Sequence, residues 1–135
     1  MQKFFSIIII TIVSFSQTSA QILINEYTGA NYDTHPDNYG EYEDWVEFYN
    51  PTNSDIDING WYLTDKAINP TKWMVPSSFI IPSMGTAIIY CSGRDELIGG
   101  NAHCNFKITQ TKGNEVLMLS DAANTFQDSI RILPN

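Results

Sequence analysis

The sequence predicts an all-β domain, an antiparallel sandwich or barrel, behind a cleavable leader. Three observations carry that prediction. After residue 20 the apolar residues recur with period two and never sustain the spacing of a helix. Clusters of turn-forming residues interrupt the apolar runs at short intervals. The 135 residues, 43% hydrophobic, can bury one core and are too few for two.

The elements follow in chain order. Met1-Gln2-Lys3 is a short basic start, Phe4 to Phe15 is apolar apart from Ser6, Thr11 and Ser14, and Thr18-Ser19-Ala20 offers small residues for cleavage. Residues 1–20 therefore read as a signal peptide, because the apolar stretch is too short to span a bilayer comfortably. A tail anchor is the alternative. The domain is expected over 21–135. Ile22-Leu23-Ile24 opens the first strand, and Val46 and Phe48 alternate with Trp45, Glu47 and Tyr49 in the second. Ile56 and Ile58 alternate with Asp55, Asp57 and Asn59, and Gly60 then breaks the register before Trp61 and Leu63. The break should return Trp61 to the inner face, between Ile58 and Leu63. Phe79-Ile80-Ile81 lies between Pro76 and Pro82. Thr86 to Tyr90, apolar on both faces, suits a central strand. Val116 to Leu119 and Ser129 to Ile132 complete seven or so strands. Asn50-Pro51-Thr52-Asn53, Asn59-Gly60, Asn69-Pro70, Pro82-Ser83-Met84-Gly85, Gly99-Gly100 and Lys112-Gly113-Asn114 supply the turns. Two stretches show no alternation and are expected as long loops: Thr28 to Glu43, and Ser92 to Asn105.

Charge narrows the function classes. Removing residues 1–20 takes Lys3 away and leaves 15 acids against six bases, a net charge of −9. That balance opposes sequence-independent binding of nucleic acid, which depends on phosphate neutralisation by Lys and Arg. No second apolar stretch would insert the mature chain in a membrane, and no Cys follows the leader closely enough for a lipid anchor. Asn50-Pro51-Thr52 and Asn69-Pro70-Thr71 are spoiled as glycosylation acceptors by their prolines. Ten of the acids fall between Gln21 and Asp65 with no Lys or Arg among them, alongside nine aromatics from Tyr27 to Tyr62. Such a segment attracts cations, basic partners or sugars, or is simply a solvated loop over ordinary core aromatics.

Six segments, in order, resemble the lamin tail domain family: Ile24-Asn25-Glu26; Asp44-Trp45-Val46-Glu47-Phe48-Tyr49-Asn50-Pro51-Thr52; Ile56-Asp57-Ile58-Asn59-Gly60-Trp61-Tyr62-Leu63-Thr64-Asp65; Ile80-Ile81-Pro82-Ser83-Met84-Gly85; Asn105-Phe106-Lys107-Ile108; and Glu115-Val116-Leu117-Met118-Leu119-Ser120-Asp121. The match runs from about Ile22 to Ile132. The resemblance implies an immunoglobulin-like antiparallel β-sandwich with Glu26, Trp45, Glu47, Asn50, Pro51, Gly60, Trp61 and Phe106 as fold-signature residues. It also implies a non-catalytic adhesion or anchoring module, often attached to secreted nucleases or phosphatases. Nuclear lamin tails bind DNA and chromatin, which the acidic surface expected here opposes. Members often continue into a Gly/Asp/Arg-rich closing segment, so a chain stopping at Asn135 raises the expectation of a longer parent protein.

Residues that could carry chemistry are few. Asp55-Ile56-Asp57-Ile58-Asn59-Gly60 matches the opening of an EF-hand loop, but position twelve is Lys66 where a bidentate Glu is needed, and the segment reads as a strand. Asp33, Asp37, Glu41, Glu43 and Asp44 are hard-oxygen candidates for calcium on a flexible loop. The preferred reading leaves them solvated, with no cofactor. Cys91, His103 and Cys104 offer three ligands for zinc without a close Cys pair. Cys91 and Cys104 are the only cysteines, and in an exported chain they are expected to form a disulfide at the base of the Gly99-Gly100 loop. No Gly-x-Ser-x-Gly elbow, His-Glu-x-x-His or phosphate-binding loop is present. The functional expectation is a secreted or cell-surface, non-catalytic module whose partner is a protein or a cell-surface glycan. A calcium-dependent carbohydrate-binding module built on the 28–43 loop is the alternative, and a small secreted hydrolase the lesser one.

Overall fold

The computed structural model of the protein describes residues 21–110 and 115–134. The expected leader and the Lys112-Gly113-Asn114 turn lie outside the described residues. Among the described residues eleven strands form, and they are β1 (Leu23–Thr28), β2 (Trp45–Tyr49), β3 (Ile56–Asp57), β4 (Tyr62–Thr64), β5 (Trp73–Met74), β6 (Ile80–Ile81), β7 (Thr86–Tyr90), β8 (Glu96–Ile98), β9 (Asn101–His103), β10 (Val116–Ser120) and β11 (Phe126–Arg131). One sheet runs β1-β2-β7-β9-β8, the other β11-β10-β4-β5, and β3 pairs with β6 in a short ribbon. All pairs are antiparallel except β7 with β9. This is an all-β, immunoglobulin-like sandwich.

Strand alternation builds the core. Val46, Phe48, Ile89, Ala102 and Cys104 point inward from the first sheet and meet Leu63, Trp73, Leu117 and Leu119 from the second. Ile58, Phe79 and Ile81 close one end around the β3–β6 ribbon. A bulge in β1 between Ile24 and Glu26 lets both Ile24 and Tyr27 face inward, opposite Phe48 and Val46. The edge strands β1 and β11 are tied across the open side of the sandwich. Asp128 Oδ2 accepts the Ile24 N–H at 2.8 Å, and Gln127 Oε1 accepts the Gln21 N–H at 2.9 Å.

Gly60 has φ +77°, where a side chain would be strained, and the turn it permits brings Trp61 into the core. Trp61 is 7% exposed, with Ile58 and Leu63 fully buried on either side in sequence. Its backbone is held on both sides: Trp61 N–H donates to Ile58 O and Val75 N–H donates to Trp61 O.

The Ser92 to Asn105 stretch is the main correction to the sequence reading. It is a β8–β9 hairpin that widens the first sheet rather than a loop. Gly99 and Gly100, at φ +58° and +83°, form its two-residue turn between Ile98 and Asn101, as a mirror-image turn requires. β5 was equally hidden, in a segment too short to show alternation.

Candidate functional site

Five side chains stand in one row across the outer face of the first sheet, one from each strand. Register places Thr28 opposite Trp45, Trp45 opposite Tyr90, Tyr90 opposite His103, and His103 opposite Glu96. The long loop after β1 lies on that row and reads it in order. His35 meets Trp45 edge to face, ring centroids 5.1 Å apart. Pro36 O accepts the Tyr90 hydroxyl at 3.1 Å. Asn38 Oδ1 bonds His103 Nε2 at 2.8 Å, and the Tyr39 hydroxyl donates to Glu96 at 2.8 Å. The loop is therefore pinned to the sheet, not solvated as the sequence reading preferred. Trp45 explains why that was hard to see: it occupies the outward register of β2 yet is 4% exposed, because the loop covers it. Covering it leaves the indole Nε1 buried without a hydrogen-bond partner among the described residues.

Asp37 anchors the centre of the loop. Its side chain is fully buried; Oδ1 accepts the N–H groups of Tyr39 and Glu41 at 2.8 and 2.9 Å, and Oδ2 meets Arg94 at 2.6 Å. Burial alone would raise its pKa, but the two amides and the guanidinium outweigh burial and lower it. Arg94 also lies 4.5 Å from the centre of the Tyr39 ring, a cation–π contact. Asn31 closes the base of the loop, its amide donating to Thr34 O and Glu43 O.

The five calcium candidates do not converge. Asp37 is committed as described. Glu43 pairs with Lys107 at 3.3 Å and lies 3.7 Å from Arg94. Asp44 accepts the Asn31 N–H, and burial raises its pKa. Asp33 and Glu41 face solvent. Among the described residues no group of three or more His, Cys, Asp or Glu side chains could hold a metal ion. The EF-hand-like carboxylates are structural: Asp57 accepts from Asn59, Ser78 and Phe79, and Asp55 accepts the Ser83 N–H.

His103 and its neighbour Cys104 point to opposite faces of β9, as successive strand residues must, so the zinc set cannot assemble. Cys91 and Cys104, the expected disulfide pair, stand in this structure as thiols, both fully buried in the core and close enough for their side chains to interact. Burial pushes the Cys91 pKa well up, with the neighbouring Cys104 adding to the shift, and Cys104 Sγ donates to Phe106 O at 3.3 Å.

His103 is wholly buried and stacks on Tyr90 at 5.1 Å. With the Asn38 carbonyl oxygen facing Nε2, the ring proton sits there, and Nδ1 accepts from the Ser92 hydroxyl at 2.9 Å. Burial lowers the His103 pKa, against the opposing pull of Asp37 and Glu96. The Ser92–His103–Asn38 chain has the partners of a hydrolytic triad, but Ser92 is 6% exposed and its oxygen also accepts the Arg94 N–H. Two hollows, of about 480 and 700 Å³, are lined by other residues. The chain of hydrogen bonds serves to hold the loop.

The remaining signature residues have structural tasks. Buried Asn50 donates to Ser54 O and Ile81 O and accepts from Thr52, fixing the turn through Pro51. Glu26 and Glu47 stand directly opposite each other on β1 and β2, with Asn25 donating to Glu47 at 2.7 Å. Phe106 is buried beneath Lys72, whose Nζ lies 4.8 Å from the ring centre.

What the loop offers outward is aromatic and acidic. Tyr32, Tyr39 and Tyr42 are 82, 50 and 47% exposed, with Asp33 and Glu41 exposed among them. Sequence reasoning noted the acidic, tyrosine-rich character and weighed His103 only as a zinc ligand, but missed Asn31, Asn38, Ser92 and Arg94, polar residues with no motif spacing to mark them. No curated protein matches the chain. Residues 16–133 match the family model for the Lamin Tail Domain, and the chain belongs to the lamin tail domain family of immunoglobulin-like modules.

Proposed function

We propose that the chain is an exported, non-catalytic binding module whose contact surface is the pinned loop on the first sheet. The observation that carries this reading is the pairing of a fixed loop with exposed tyrosines. Asp37 is buried and bonded on both oxygens, while Tyr32, Tyr39 and Tyr42 stand out from the same loop. Tyrosines held this way present large, amphipathic contact area with little conformational entropy left to lose on binding. The leader-like residues 1–20 support export. The surrounding acids favour a partner with basic or hydroxyl-rich groups, on a cell-surface protein or glycan, and oppose nucleic acid.

The test is a glycan array and a set of immobilised basic peptides, probed with residues 21–135 in calcium and in EDTA. Binding on either support should be indifferent to EDTA, because Asp37, Glu43 and Asp44 are engaged by protein donors and only Asp33 and Glu41 stay exposed, and it should fall in Tyr32→Ala and Tyr42→Ala. Binding that needs calcium would favour a calcium-dependent lectin instead. Retained binding in both tyrosine variants, or turnover of a hydrolase substrate panel, would reject the reading.

A further inference from the structure

The loop on the first sheet already holds one cation, and it does so with a ring and two carboxylates. The Arg94 guanidinium lies 4.5 Å from the centre of the Tyr39 ring, 2.6 Å from Asp37 and 3.7 Å from Glu43. That arrangement suits a guanidinium, which is planar, weakly hydrated and able to stack while it pairs with carboxylates. Beside this filled site stand groups of the same kinds with nothing on them. Tyr32 and Tyr42 are exposed, and Asp33 and Glu41 face solvent. None of these four side chains has a hydrogen bond, ion pair or ring contact among the described residues.

The open rings share one part of the loop. Asn31 Nδ2 donates to Thr34 O at 2.6 Å and to Glu43 O at 3.0 Å, which sets Tyr32 and Asp33 alongside Tyr42 and Glu43. Glu43 in turn faces Arg94, so they adjoin the filled site. The charge there is unbalanced. Among the described residues the five acids Asp33, Asp37, Glu41, Glu43 and Asp44 are met by two bases, Arg94 and Lys107, in a mature chain of −9.

Resting on the reading of this loop as the contact surface, we infer that its partner is an arginine-rich peptide segment. Its guanidinium groups lie on the Tyr32 and Tyr42 rings and pair with Asp33 and Glu41, as Arg94 does with Tyr39 and Asp37. A neutral sugar would also stack on the rings, but it would cover the carboxylates and leave their charge uncompensated. Nucleic acids and acidic peptides are repelled by the local surplus and by the net charge alike. A cationic segment is drawn by both. Arginine fits better than lysine, whose compact ammonium is strongly hydrated and gives up less to a ring.

The experiment titrates residues 21–135 into a labelled short peptide of alternating arginine and serine, with lysine-for-arginine and citrulline-for-arginine peptides beside it. Binding should be saturable and weaken about tenfold between roughly 50 and 300 mM salt, as exposed ion pairs do. The lysine peptide should bind about threefold more weakly, and the uncharged citrulline peptide about tenfold more weakly. Tyr32→Ala and Tyr42→Ala should each lower affinity about fivefold, Asp33→Asn and Glu41→Gln about threefold, and Tyr42→Phe should keep it. Circular dichroism should show these surface variants folded. Equal affinity for the citrulline or lysine peptide, or full affinity in both carboxylate variants, would overturn the inference. Tyrosine-dependent binding to glycans without binding to the arginine peptide would overturn it too, while leaving the loop as the contact surface. Tyrosine-independent binding to both would overturn that reading as well.

Discussion

Replacing Asp37 by Ala should loosen the loop and destabilise the whole domain. The carboxylate makes three charge-assisted hydrogen bonds, to the amides of Tyr39 and Glu41 and to Arg94. Each such bond contributes about 1.5–3 kcal/mol when its partners are shielded. The Asp37 side chain is fully buried but Arg94 is 33% exposed, and Tyr39 and Glu41 are exposed enough for water to replace part of the loss. A net cost of about 2–4 kcal/mol follows, a lowering of Tm by roughly 10 °C or more for a domain of this size. Asp37→Asn keeps an oxygen for the two amides and loses the charge facing Arg94, so it should cost about half as much. Urea denaturation followed by tryptophan fluorescence measures both variants. Amide exchange localises the effect, since Tyr39 and Glu41 should lose protection while β10 and β11 keep theirs. The sign with pH is fixed by the lowered Asp37 pKa: the contribution is complete above the ordinary carboxylate value of 3.8 and is lost as pH falls below it. A loss under about 1 kcal/mol in Asp37→Ala, with both amides still protected, would refute the anchor.

Trp61→Ala should cost about 3–5 kcal/mol, as deletion of a buried aromatic does; an unfolding curve within about 1 kcal/mol of the parent would contradict its place in the core. His103 is held neutral, so stability should be complete above its ordinary pKa of 6.5 and decline as pH falls from there to the lowered folded value. A His103→Gln variant should flatten that slope, and an unchanged slope would assign it elsewhere. Cys91 and Cys104, buried side by side, should form a disulfide in the exported protein, seen as an intact mass two protons light; two adducts on alkylation of the unfolded, unreduced chain would reject the bridge.

The sandwich was legible because period two reports faces. Alternation around Val46 and Phe48 identifies the inner residues of that strand without any knowledge of which strands are neighbours, while the continuous apolar runs around Ile89 and Leu117 identify strands but not their faces. It failed where polar composition masked a strand: Asn101-Ala102-His103 shows one apolar residue, and only the Gly99-Gly100 turn marked the hairpin. The site was illegible for a deeper reason. The row from Thr28 to Glu96 takes one residue from each of five strands, and its order depends on β9 lying parallel beside β7. Asp33, Asp37 and Glu41 look alike in a sequence, being acids on one loop without nearby bases. What singles out Asp37 is Arg94, 57 residues away, which the β8–β9 hairpin carries to the loop. Composition thus reports that the segment is acidic and aromatic, whereas pairing decides which acid is buried as an anchor and which tyrosines remain for a partner. A loop of this kind becomes a rigid surface only once the sheet beneath it has assembled, so its chemistry belongs to the fold and not to any stretch of sequence.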